Sequence, residues 1–99
     1  MNHIKELLPI GSIVLMRGGT KKIMIIGILQ VAEEEKEEVY DYIGVPYPEG
    51  YMNAESAILF QHENINDVIF KGYDNPERQE FLGLMEEVLE ITEEQLSDL

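Results

Sequence analysis

Side-chain catalysis needs a base or a nucleophile held beside a partner, and this sequence offers few of either. Its histidines are His3 and His62, its serines are Ser12, Ser56 and Ser97, and it has no cysteine. A serine nucleophile requires an adjacent base and a group that orients that base. None of the three serines stands in a recognisable nucleophile elbow, and the same two histidines would have to serve them all. Metal binding needs several His, Asp or Glu side chains converging on one point. His62, Glu63 and Asp67 lie close enough to share a turn, but a surface histidine beside carboxylates is commonplace, and no metal site is expected. Of the 20 carboxylates only Asp41, between Tyr40 and Tyr42, stands in an apolar context. A hydrogen bond to a neighbour is its expected use, ahead of acid–base work. Gly18-Gly19 is followed by an apolar, strand-like run, so no helix dipole is aimed at a phosphate there. The chain therefore reads as a non-enzyme with no cofactor. A small hydrolase or transferase would need a closed pocket on which Asp41, His62 or a serine converges.

Binding chemistry is better represented. In Pro46-Tyr47-Pro48-Glu49-Gly50-Tyr51 two prolines bracket a tyrosine, which makes a stiff, exposed turn that cannot sit in a central ladder. Exposed tyrosine on a rigid loop is typical of contact surfaces, so Tyr47, Pro48 and Tyr51 are candidate protein-binding residues. The alternative is that both tyrosines fold back over the sheet edge. A second candidate is the C-terminal helix, where Phe81, Leu82, Met85, Val88 and Leu89 recur at helical spacing. Packing on its own sheet is the simplest use of that stripe. Should the helix outrun the sheet, Leu84, Ile91, Leu96 and Leu99 are left to meet a partner helix or a second copy of the chain.

The elements that must position these residues follow from the apolar pattern. Ile10–Val31 is the most continuously hydrophobic stretch, and its β-branched runs flank a turn with paired glycines, a hairpin signal. The first strand is expected over Ser12–Met16, the turn over Arg17–Lys21 and the second strand over Lys22–Val31. That second strand is apolar on both faces, so both should be covered, and Gly27 in its middle points to a bend or bulge. The charge run Glu33–Glu38 reads as a solvated loop or the tip of a long hairpin. Further strands are expected over Val39–Val45, Ala57–Gln61 and Val68–Lys71, with a turn or short 3₁₀ segment at His62–Asp67. Asn75 is a good N-cap, Pro76 suits the first helical position, and Thr92-Glu93-Glu94-Gln95 has the shape of a capping box. The expected architecture is one α+β domain over residues 1–99, with a sheet over about 10–72 and a helix over about 75–91 carrying a short helical tail. Its sheet is an antiparallel five-stranded meander, strongly bent or curled into an SH3-like, partly open barrel.

The net charge of −13 is placed unevenly. Lys5, Arg17, Lys21 and Lys22 face only Glu6 in the first 32 residues, whereas residues 33–99 carry a net −16. Phosphate binding needs clustered Lys and Arg, so neither nucleic acid nor an anionic membrane is an expected partner. An acidic surface serves solubility, or it steers association with a basic protein. The longest apolar runs are too short to cross a bilayer, and Met1-Asn2-His3-Ile4-Lys5-Glu6 lacks the features of a signal peptide. With no cysteine to oxidise, the expected setting is the cytoplasm.

Four segments in order carry a family resemblance: Leu-Leu-Pro-Ile-Gly-Ser-Ile-Val-Leu at 7–15, Gly-Gly-Thr-Lys-Lys-Ile-Met-Ile-Ile-Gly at 18–27, Tyr-Asp-Tyr-Ile-Gly-Val-Pro-Tyr-Pro-Glu-Gly-Tyr at 40–51 and Val-Ile-Phe-Lys-Gly-Tyr at 68–73. On these the chain resembles the small bacterial proteins grouped as domain of unknown function 4176. Members of that family tend to be encoded in type VII secretion loci of Gram-positive bacteria, near effectors with an N-terminal LXG domain. The resemblance implies a cytoplasmic accessory role, such as an adaptor or chaperone that holds an effector, or its helical targeting protein, before export. It supplies no catalytic residues. The acidic surface keeps a second expectation open, that of an immunity protein covering a basic toxin domain.

Overall fold

The β-branched runs on either side of Gly18-Gly19 fold as a hairpin, in which β1 (Ile13–Met16) pairs antiparallel with β2 (Lys22–Ala32). Gly18 takes φ +76° in the turn, a conformation that costs glycine little and other residues more. The computed structural model describes the backbone of residues 4–32 and 35–97, and the side chains of 4–31 and 38–89. Its contacts divide the chain into two compact units, Leu8–Tyr73 and the combination of Met1–Leu7 with Asp74–Leu99.

The unit Leu8–Tyr73 is one open antiparallel sheet. Strands β3 (Glu35–Pro46), β4 (Ile58–Phe60) and β5 (Ile65–Phe70) complete it, in the order β4-β3-β2-β1-β5. A 3₁₀ turn at His62–Asn64 separates β4 from β5. The expected five-stranded antiparallel sheet is present, but only β1 to β4 follow one another as a meander; β5 crosses back to pair with β1, which leaves β4 and β5 as the two edges.

The strand limits differ from the sequence reading by one residue at several ends and by more at the starts of β3 and β5. β3 begins at Glu35 instead of Val39 and β5 at Ile65 instead of Val68, while β4 is confined to Ile58–Phe60. Ladder hydrogen bonds join backbones, so charged side chains that point to water do not stop a strand. β2 and β3 consequently form one long hairpin, with Ala32 opposite Glu35. Glu33 and Glu34 of the charge run lie outside the described residues.

One face of the sheet holds the core of this unit. Val14 lies opposite Ile23, Ile25 opposite Gly44 and Tyr42 opposite Phe60, and all of these residues are buried. The Tyr42 and Phe60 rings stack at 5.3 Å between centroids, tilted by 35°. Gly44 is required by this packing, because a Cβ there would stand 2.5 Å from Ile23 Cγ2 and 3.1 Å from the Met24 carbonyl oxygen. The bend expected at Gly27 is present. The register slips between Ile25 opposite Gly44 and Gly27 opposite Ile43, leaving Ile26 as the extra residue of a bulge.

The expectation that both faces of β2 are covered is not met: only one face is buried, and only at its first end. Ile23 and Ile25 are buried, Met24 and Ile26 to Gln30 are partly exposed, and Val31 is half-exposed. The reason lies in the lengths of the neighbours. β1 pairs only with Lys22–Met24 and β4 only with Tyr42–Gly44. Beyond the pair Ile28–Tyr42, the last that β4 flanks, β2 and β3 run on as a two-stranded ribbon, which has too little surface to bury both of its faces.

The second unit pairs a 3₁₀ turn at Ile4–Glu6 with helix α1 (Pro76–Ser97). The Asn75 side chain accepts from the Arg78 amide at 2.9 Å, and Pro76 occupies the first helical position, as the sequence indicates. The Arg78 guanidinium donates to the Asp74 carboxylate at 3.2 Å and to the Leu7 carbonyl, fastening the helix start to the N-terminal segment. Lys5 approaches Glu86 at 3.9 Å.

Two helix expectations are corrected. α1 runs unbroken through Thr92, so no second helix starts at the capping-box sequence. Neither Gly nor Pro stands between Leu84 and Ser97, and extending a formed helix is easier than starting a new one. The apolar stripe also divides. Leu82 is buried and Met85 and Leu89 are partly so, whereas Phe81 and Val88 lie on the exposed side with Leu84.

Candidate functional site

The turn that follows β3 is held from three directions. The Gly50 amide donates to the Pro46 carbonyl at 2.7 Å and closes it, and the Tyr47 amide donates to the Lys22 carbonyl at 2.9 Å. Lys21 Nζ, from the Gly-Gly turn, donates to both oxygens of Glu49 at 2.6 and 2.7 Å. That hydrogen bond, with the attraction of the ammonium charge, holds the Glu49 carboxyl below the ordinary glutamate range. The two turns are thus laced together at one end of the sheet.

The segment after Tyr51 is tied as well. Ser56 Oγ accepts from the amides of Met52 and Asn53 at 3.2 and 3.3 Å, and the Asn53 side chain accepts from the Ser56 amide at 3.0 Å. Upon this frame Tyr47 is 43% exposed, Tyr51 62% and Met52 65%, with Pro48 exposed between the two rings. A rigid turn that offers two amphipathic rings and a thioether can bind a surface at low entropic cost, since little of it remains to be ordered. Met52 escaped the sequence reading because a lone methionine has no periodic or turn signature.

A different cluster lies inside the same unit. The Tyr42 hydroxyl accepts from the Leu8 amide at 2.9 Å and shares a hydrogen bond of 2.6 Å with His62 Nδ1. The His62 amide donates to Asp41 Oδ2 at 2.8 Å, and Gln61 bonds the Asp41 amide at 3.1 Å and the Val39 carbonyl at 3.2 Å. Neighbouring strand residues point to opposite faces. His62 therefore meets Asp41 through its backbone and Tyr42 through its ring. Asp41 does hydrogen-bond a neighbour, as expected, and it is buried.

The serines are occupied elsewhere. Ser12 Oγ donates to the Pro9 carbonyl at 2.6 Å and accepts from the Gly72 amide at 2.9 Å. Ser56 caps its own turn, and the Ser97 side chain lies outside the described residues. Asp41 and His62 do converge, and the carboxylate accepts from the histidine backbone amide. This arrangement fastens the His62 turn to β3. Its long-range partners, 20 and 21 residues apart, left no local pattern for sequence reading to find. Among the described residues no group of three or more His, Asp or Glu side chains is placed to hold a metal ion.

Of the helical candidates, Leu84 projects from α1 and is half-exposed. The side chains of Ile91 and Leu96, and Leu99 altogether, lie outside the described residues. Among the described residues no helix is long and apolar enough to cross a membrane.

The model of one protein family, described as a domain of unknown function (DUF4176), matches residues 7–81. The matched span takes in the sheet, the laced turns and the first turn of α1. Neither the curated proteins nor the solved structures contain a match.

Proposed function

We propose that this chain, which belongs to the DUF4176 family, is a non-enzymatic protein-binding module of the cytoplasm that engages a secreted effector before its export. In this reading it serves a type VII secretion system as an adaptor or chaperone for an LXG-type effector, or for that effector's helical targeting protein. The observation that carries it is the braced turn presenting Tyr47, Pro48, Tyr51 and Met52 to water. Aromatic anchors on a rigid support are what protein interfaces use to concentrate binding energy. The cluster of Asp41, Tyr42 and His62 has the bonding of a structural clamp, which supports the non-enzymatic part of the reading.

Co-expression with each half of a secreted effector encoded beside the protein tests the proposal. Co-purification of the N-terminal half is the expected result, and binding of neither half contradicts it. Capture of the C-terminal toxin half alone would instead mark an immunity protein. Its binding should fall steeply with salt, because exposed charges are screened beyond about 8 Å at physiological ionic strength.

A further inference from the structure

Helix α1 carries two apolar sides, one of them buried or partly buried and the other about half exposed. Leu82, Met85 and Leu89, spaced three and four residues apart, form the inward side. Phe81, Leu84 and Val88 repeat the same spacing one position earlier, and they are 48%, 57% and 51% exposed. At about 100° per residue these three share one stripe. Glu77 continues its line toward the helix start, and Glu80 and Glu87 flank it on the side away from the buried residues. All three glutamates are exposed.

We propose that the stripe Phe81–Leu84–Val88, bordered by Glu77, Glu80 and Glu87, is the docking face for a basic amphipathic helix of the bound partner. The inference rests on the binding-module reading and adds to it a second contact surface and the chemistry of its occupant. The spacing of the stripe is that of a helix-in-groove or coiled-coil seam, which takes an apolar helical face. The glutamates decide which helix. Lysines or arginines flanking the partner's apolar face would pair with them. A second copy of this chain would bring its own Glu77, Glu80 and Glu87 against them, and like charges facing each other across an interface are repulsive. Leu84 and Val88 lie past the last residue that the family model matches, which suits a surface that distinguishes one partner from another.

The test uses the full chain and two fluorescein-labelled peptides of identical Leu/Lys composition and about 21 residues, three heptads. One places leucine at the a and d positions with lysine around them, and the other scrambles the order. Wild type should bind the patterned peptide more tightly than the scrambled one. Leu84→Gln, which keeps helix propensity, should weaken that binding by at least about tenfold, the equivalent of one good apolar contact, with an unchanged thermal transition. Glu80→Gln with Glu87→Gln should also weaken it and flatten its salt dependence. Equal binding of the two peptides, or undiminished binding by Leu84→Gln, overturns the proposal. So does sedimentation showing a wild-type dimer that Leu84→Gln converts to monomer, because the occupant would then be a second copy. The wider reading is judged separately, by whether the neighbouring effector co-purifies with the wild-type chain.

Discussion

Tyr42 and the pair Tyr47 and Tyr51 stand a few residues apart on one strand and the turn that ends it, and the fold uses them in opposite ways. Tyr42 is fully buried, its ring against Phe60 and its hydroxyl between the Leu8 amide and His62 Nδ1. Tyr47 and Tyr51 are held up to water on a turn whose backbone and ion pair do the bracing. The difference lies in where the hydroxyl finds its partners. A buried phenol has to be hydrogen-bonded by the protein, and Tyr42 is. On the turn, rigidity is supplied by groups other than the rings, which leaves the rings available for contact.

Substitutions should separate these two roles. The largest effect is expected at the buried ring. Tyr42→Ala should lower unfolding free energy by about 3–5 kcal/mol, read by urea denaturation, and a loss below 1 kcal/mol would mean that the ring is not the anchor of the core. Tyr42→Phe keeps the ring and deprives Leu8 and His62 of their shared partner. About 1–3 kcal/mol is expected for removing the acceptor of the Leu8 amide, with faster amide exchange at Leu8. Tyr47→Ala and Tyr51→Ala should change stability by less than about 0.5 kcal/mol, as exposed substitutions usually do, while weakening partner binding.

The smallest effect concerns the brace. The Glu49 carboxyl titrates below its ordinary value of 4.5 in the folded chain, so its link to Lys21 contributes at neutral pH and is lost as pH falls through that lowered value. In Lys21→Gln the Glu49 carboxyl, followed by NMR, should titrate close to the ordinary value. Both groups are largely exposed, so the melting temperature should scarcely move.

The same contrast accounts for what the sequence disclosed. Local chemistry was legible. Gly18-Gly19, the Pro46–Tyr51 turn, the 3₁₀ turn after β4 and the Asn75-Pro76 helix start are all written in residues that are adjacent or nearly so. Strand ends were less legible, because Glu35–Glu38 and Ile65–Asp67 are held in strands by the backbones beside them, whatever their side chains prefer. The division of α1 was hidden for another reason. Phe81, Leu82, Leu84, Met85, Val88 and Leu89 span a wide apolar sector, and periodicity cannot say which part of such a sector is buried. The convergence of Asp41, Tyr42 and His62 requires knowing that β4 lies beside β3, which is a fact of topology.

The central claim is that function resides on the outer surface of a braced frame. Its most direct measurement compares how much of the neighbouring effector co-purifies with wild type and with the Tyr47→Ala/Tyr51→Ala double variant, alongside the thermal transition of each. The account predicts a marked loss of effector with an unchanged transition. Undiminished co-purification by the double variant would contradict it.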